Sequence, residues 1–143
     1  PLRRDADPQT RRVAAESLGR IGDPAAVPDL LSAAGGADDD RFLLHSITYA
    51  LIEIADPAQT RAGLAADARA TVQATLFALD QIPDGNLTTT DVLEKLDAAD
   101  PSLRAAATWV AERHPEWDSA VAGYLAGRLS STDPDGEAAE RLE

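Results

Sequence analysis

The chain has 143 residues with 13 Lys and Arg against 25 Asp and Glu, a formal net charge of −12. The acid is uneven: 8 basic and 11 acidic residues run to Thr71, then 5 and 14 from Val72 onward, so a polyanion such as DNA or RNA is repelled by the second half. With no cysteine there is no disulfide framework, thiolate zinc site or haem attachment motif, and no apolar run approaches a membrane span.

Asp7-Pro8 opens the first predicted helix, about 8 to 21. Asp is a good N-cap, and Pro suits a first helical position that needs no N–H. Ala14, Leu18 and Ile21 share one face. Gly22 releases the chain, and Asp23-Pro24 starts a second helix, about 24 to 34, striped by Val27, Leu30 and Leu31. The linker 35–40 puts Asp38, Asp39 and Asp40 where a third helix begins, favourable to its dipole. That helix, about 40 to 55, is apolar on more than one face and is expected to be central. A short helix from 57 to 64 pairs with it, and a fifth runs from 66 to 82.

The turn at 83–87 has Gly85 and Asn86 available for unusual dihedrals. Thr88 with Asp91 resembles a capping box and opens a helix to Ala98. Helix seven spans 101 to 113, and Pro115 opens helix eight, which reaches Leu129. Residues 131–143 form a polar tail ending in a Leu-Glu that suits a cloning scar. With no Met and an opening Pro-Leu-Arg-Arg, the chain is expected to be an excised piece of a larger protein.

Asp-Pro recurs at Asp23, Asp56, Asp100 and Asp133, so five of nine prolines follow an Asp. Ala14, Leu18 and Ile21 are echoed by Ile47, Leu51 and Ile54, by Leu76 (one residue out of register), Leu79 and Ile82, and by Leu103, Ala107, Val110 and His114. This unit of roughly 30 residues resembles the HEAT repeat in its short PBS-lyase-type form, most clearly at 13–31 and more loosely to about 130. The resemblance implies an all-α fold, a short right-handed α-solenoid (an α-α superhelix) of about four HEAT-like hairpins over residues 1–130. Leu18, Ile21, Leu51, Ile54, Leu79 and Val110 are expected to be buried between hairpins.

Residues 42–121, especially ALDQ at 78–81 and RHPEW at 113–117, are also similar to the repeat segment of large secreted multidomain proteins of planctomycete-type bacteria. Those proteins join a dehydrogenase-like β-propeller, HEAT repeats and a c-type haem domain. This chain has no CxxCH and no propeller repeat, so neither haem nor dehydrogenase activity carries over. The resemblance implies a spacer or docking module outside the cytoplasm.

No nucleophile–base arrangement, phosphate loop or paired carboxylates can be argued, so the reading is non-catalytic, with no cofactor. HEAT-like folds also occur in bilin lyases and in a DNA glycosylase family. Acidity disfavours the glycosylase, and nothing points to a tetrapyrrole. His45 and His114 lie on different hairpins and are given structural roles, His114 closing a helix end. Asp38 to Asp40 are read as a solvated cap rather than a cation site. Ser131, Asp133, Asp135 and Gly136 fit a calcium loop, but Leu142 stands where its acid belongs. Trp109 and Trp117 are assigned to the core or to locking a hairpin, and Arg11, Arg12 and Arg104 to a ladder of exposed ion pairs. In HEAT-like arrays the second helix of each hairpin lines the concave face. Here that face offers Asp29, Arg61, Asp91, Glu94, Lys95 and Asp118 to a basic or polar protein partner or to flanking domains, with the chain itself a monomer.

Overall fold

In a computed structural model that describes residues 7–131, every element is helical. The helices are α1 (Pro8–Ile21), α2 (Val27–Ala34), α3 (Arg41–Ile54), α4 (Pro57–Thr60), α5 (Arg69–Gln81), α6 (Thr89–Leu96), α7 (Pro101–Glu112) and α8 (Asp118–Ser131). Three 3₁₀ turns complete the second helices: Pro24–Ala26 leads into α2, Arg61–Ala65 extends α4, and Pro115–Trp117 leads into α8.

Local chemistry sets the helix ends. Asp7, Asp40, Asp56 and Asp100 each accept a hydrogen bond from the backbone N–H three residues on, at 2.9 to 3.0 Å, and Asp23 caps its 3₁₀ turn through Ala25 N. These bonds satisfy donors that a helix start leaves orphaned. Hydrogen bonding also holds three cap carboxyls below their ordinary range, through Thr10 for Asp7, Gln59 for Asp56 and Leu103 for Asp100. At the other ends α1 and α3 stop alike, but with different residues. Gly22 has φ 71° and Ala55 has φ 55°, both left-handed, each returning its N–H to the carbonyl of Leu18 or Leu51. A Cβ is penalised there, so Gly22→Ala should cost about 1 kcal/mol and Ala55→Gly should gain a similar amount. Opposite shifts of the thermal midpoint would show it; shifts of one sign would not.

The helices stack in two layers. α1, α3, α5 and α7 form one, each packed on the next, and they begin about thirty residues apart; α2, α4, α6 and α8 form the other. Neighbouring first helices run parallel. Arg12 lies over Phe42, Ser46 Oγ donates to Glu16, and Gly19 faces Ala50, a steady offset of about thirty. A Cβ on Gly19 would stand 2.8 Å from the Ala50 Cα, so α1 and α3 touch backbone to backbone.

Two apolar clusters result. The first joins α1, α2, α3 and one side of α5 through Val27, Leu30, Leu43, Ile47, Leu51 and Ala78. The second joins the other side of α5 to α6, α7 and the start of α8 through Leu76, Val92, Ala107 and Val110. Of the six residues expected between hairpins, Leu51, Ile54, Leu79 and Val110 are buried, and Leu18 is half-buried against the first cluster. Ile21 is a correction: it is 70% exposed. α1 packs chiefly on α3, and among the described residues no second helix covers its last turn, whereas α3 lies between α1 and α5. Leu51→Ala should cost about 2–5 kcal/mol, because the methyls it removes are fully enclosed. A loss under about 0.5 kcal/mol in denaturant melts would contradict this packing register.

Other expectations also change. Trp117 joins the second cluster, but Trp109 stays 42% exposed, edge-on to Phe77 at 5.2 Å with Arg113 over its ring. In the turn after α5, Asp84 and Asn86 take positive φ, while Gly85 supplies space: a Cβ there would strike the carbonyls of Leu79 and Ile82. Among the described residues Arg11, Arg12 and Arg104 form no ion-pair ladder. Arg12 Nε donates to the Pro8 carbonyl and Arg104 to those of Ala98 and Ala99. Arg11 is buried, with Nε and Nη2 unpartnered. Arg69 does the linking instead, reaching Asp38 at 3.1 Å and Asp100 at 3.3 Å.

Candidate protein-docking face

All six residues proposed for partner binding lie in the second-helix layer. Asp29 is exposed on α2, Arg61 begins the 3₁₀ turn after α4, Asp91, Glu94 and Lys95 are on α6, and Asp118 starts α8. The structure brings two of them together. Arg61 Nη2 donates to both carboxylate oxygens of Asp91, at 2.7 and 2.6 Å, and Nη1 donates to the Asn86 carbonyl at 2.9 Å. Asp91 also completes the capping box, accepting from Thr88 N while its own N–H reaches Thr88 Oγ1. Burial works against its charge, but the Thr88 hydroxyl and the Arg61 guanidinium outweigh that, so its carboxyl titrates below the usual range. Asp91 and Arg61 therefore tie α4 to α6.

The other four stand differently. Glu94 and Lys95 are adjacent, with their charged groups 3.9 Å apart. Asp29 and Asp118 are exposed, and no ion pair engages either among the described residues. Farther along, Arg128 pairs with Asp97 at 3.1 Å, and the Tyr124 hydroxyl donates to the same carboxylate. The cations Arg61, Lys95 and Arg128 thus sit beside acids of this layer, and the charge it leaves over is carboxylate.

Sequence reasoning missed a denser cluster between α5 and the turn after α7. Asp80, whose side chain is 1% exposed, accepts from Arg113 Nε and pairs with His114 Nε2, both at 2.9 Å. His114 Nδ1 meets Glu116 at 2.7 Å, and the ring stacks on Trp117 at 3.9 Å. The two stretches 78–81 and 113–117, singled out separately in the sequence, are one network in space. The available signal was their shared polar character at the ends of successive first helices. With a carboxylate on each ring nitrogen, His114 keeps no nitrogen free for a substrate proton, and its role is to hold the α7–α8 turn on α5.

Burial opposes the charge on His114, but hydrogen bonds to Glu116 and Asp80 prevail and raise its pKa above the ordinary 6.5. The same bond lowers the Glu116 carboxyl. A raised folded-state value means that the imidazolium's contribution is fully present below about 6.5 and lost as pH rises through the folded pKa. Stability should therefore fall as pH rises above about 6.5, and His114→Gln should flatten that slope. An unchanged slope in the variant would assign the pH dependence to other groups.

His45 is exposed on α3; Asp40 caps α3 and Asp38 pairs with Arg69. Among the described residues no three His, Cys, Asp or Glu side chains are placed to hold a metal ion, and no helix is long and apolar enough to cross a membrane. The calcium-loop residues Asp133, Asp135 and Gly136, and the tail with them, lie outside the described residues.

Comparison with known proteins gives a match to the family model of HEAT repeats over residues 2–80, more than half of the chain. No curated protein and no solved structure matches.

Proposed function

This chain belongs to the HEAT-repeat family, and from that premise we propose that it works without catalysis, as a scaffold that spaces domains or docks a basic protein partner on its second-helix layer. The observation that carries the reading is the imbalance of that layer. Its cations Arg61, Lys95 and Arg128 each sit beside a carboxylate, while Asp29 and Asp118 stay exposed outside any ion pair among the described residues and Glu94 keeps most of its surface. A basic surface is steered to such a layer and an acidic one is turned away. The similarity of residues 42–121 to the repeat segment of large multidomain secreted proteins of planctomycete-type bacteria supports flanking domains of a longer chain as the partners. On this reading residues 1–130 are the repeat domain and 131–143 a polar tail.

The test is calorimetric titration with those flanking domains at low and at moderate salt. Asp91 is unsuited to charge reversal, since it caps α6 and holds Arg61. Asp29→Lys, Glu94→Lys and Asp118→Lys alter exposed side chains instead. Saturable binding that weakens about tenfold with salt and disappears in the triple variant is the expected result. Absence of binding at every ionic strength would leave spacing alone, and full affinity in the triple variant would move docking off this layer.

A further inference from the structure

On the opposite layer, α1 and α3 enclose a cleft of about 170 Å³ between Glu16 and Arg20 of α1 and His45, Ser46, Tyr49 and Glu53 of α3. The Glu53 carboxylate folds back over Gly19, into space that a side chain there would fill. No cation engages Glu53 among the described residues. Glu16 is held only by long contacts, 3.4 Å to Ser46 Oγ and 3.4 Å to Arg20 Nη2, and the Arg20 pair is largely solvent-exposed. Such a pair contributes little and yields readily. The cleft therefore presents two under-paired carboxylates beside the half-exposed ring of Tyr49. A planar guanidinium uses both features, bonding carboxylates in a fork while stacking on an aromatic face.

The surface beside the cleft has the opposite sign. Phe42, 56% exposed, has the guanidinium groups of Arg12 at 5.5 Å and Arg41 at 4.8 Å from its ring centre, and no ion pair engages either arginine among the described residues. Phe42 and Tyr49 are seven residues apart on α3, about 10 Å at 1.5 Å per residue. An extended peptide covers that span in about three residues. We propose that the α1–α3 face docks an extended segment of a protein partner that carries an arginine and, three residues away, a carboxylate. The arginine enters between Glu16, Glu53 and Tyr49, and the acid meets Arg12 and Arg41. This site lies on the first-helix layer and stands or falls independently of docking on the second.

The probes are the tetrapeptides acetyl-Arg-Ser-Ser-Glu-amide and acetyl-Glu-Ser-Ser-Arg-amide, titrated into the whole chain by NMR, with glutamine in place of arginine as control. The expected result is saturable shifts of the His45, Tyr49 and Phe42 resonances with at least one arginine peptide. Binding should weaken about tenfold or more in the Glu16→Gln/Glu53→Gln variant, which removes two charge-assisted acceptors. Arg12→Gln/Arg41→Gln should weaken the same peptide but not one whose acid is replaced by glutamine. Equal shifts with the control peptide, shifts that map to another face, or undiminished binding in the Glu16/Glu53 variant would each overturn the proposal. Both variants alter partly or fully exposed side chains, and thermal melts verify that each is folded.

Discussion

Everything in this molecule depends on α5 being packed from both sides. Ala74, Ala78 and Ile82 at its end belong to the first apolar cluster, and Val72 and Leu76 to the second. Its residues are small where neighbours approach closely: Thr75 sits where Gly63 leaves room, and Thr71 Oγ1 donates 3.1 Å to the Leu31 carbonyl, across forty residues of chain. No side chain caps its N-terminus, where Ala68 stands. α5 therefore owes its existence to burial more than to local signals, as is general for helices of this length. It joins the first two hairpins and the last two into one body.

Polar ties follow the same geometry. Glu16 with Ser46, Arg61 with Asp91, Asp38 with Arg69, Arg69 with Asp100, Asp80 with Arg113 and Asp97 with Arg128 all join residues 30 to 33 positions apart. Each connects near-equivalent places in successive hairpins. Most are exposed, and an exposed pair is individually weak. Their value is directional: they set the rotation of each hairpin on the last, while the apolar clusters supply the driving force. Asp80 is the exception in degree, because its carboxylate is buried and fully engaged. Arg11 and Thr60 show the reverse, polar groups enclosed without partners, which subtract from stability.

Much of this was legible in the chain. Asp-Pro pairs marked starts and Gly22 a stop, because capping is a local matter of one carboxylate or one φ angle. The helix over 8–21 and the Thr88–Asp91 box are found where expected. α5 begins at Arg69 rather than 66, since the residues before it form no cap and tertiary packing decides its first turn. Periodicity placed Ile21 on the apolar stripe, yet a stripe says which face is apolar and not whether a neighbour covers it. The Asp80 network was invisible for a related reason. Its members are thirty-odd residues apart, and only stacking brings them together. The six candidate residues lie on second helices, as the helix order implies, but the neutralisation of Arg61 by Asp91 is again a product of stacking.

The one-hairpin reach of these six cross-ties bears on how such a chain changes over time. A tie that spans a single unit is cut only where a unit is added or removed next to it, and all others keep their partners. Whole hairpins could therefore be duplicated or lost while the remaining interfaces re-form unaltered. A deletion of a few residues inside a hairpin is a different event, since it throws the ties on both flanks out of phase at once. The architecture tolerates change by whole units and resists it by fractions.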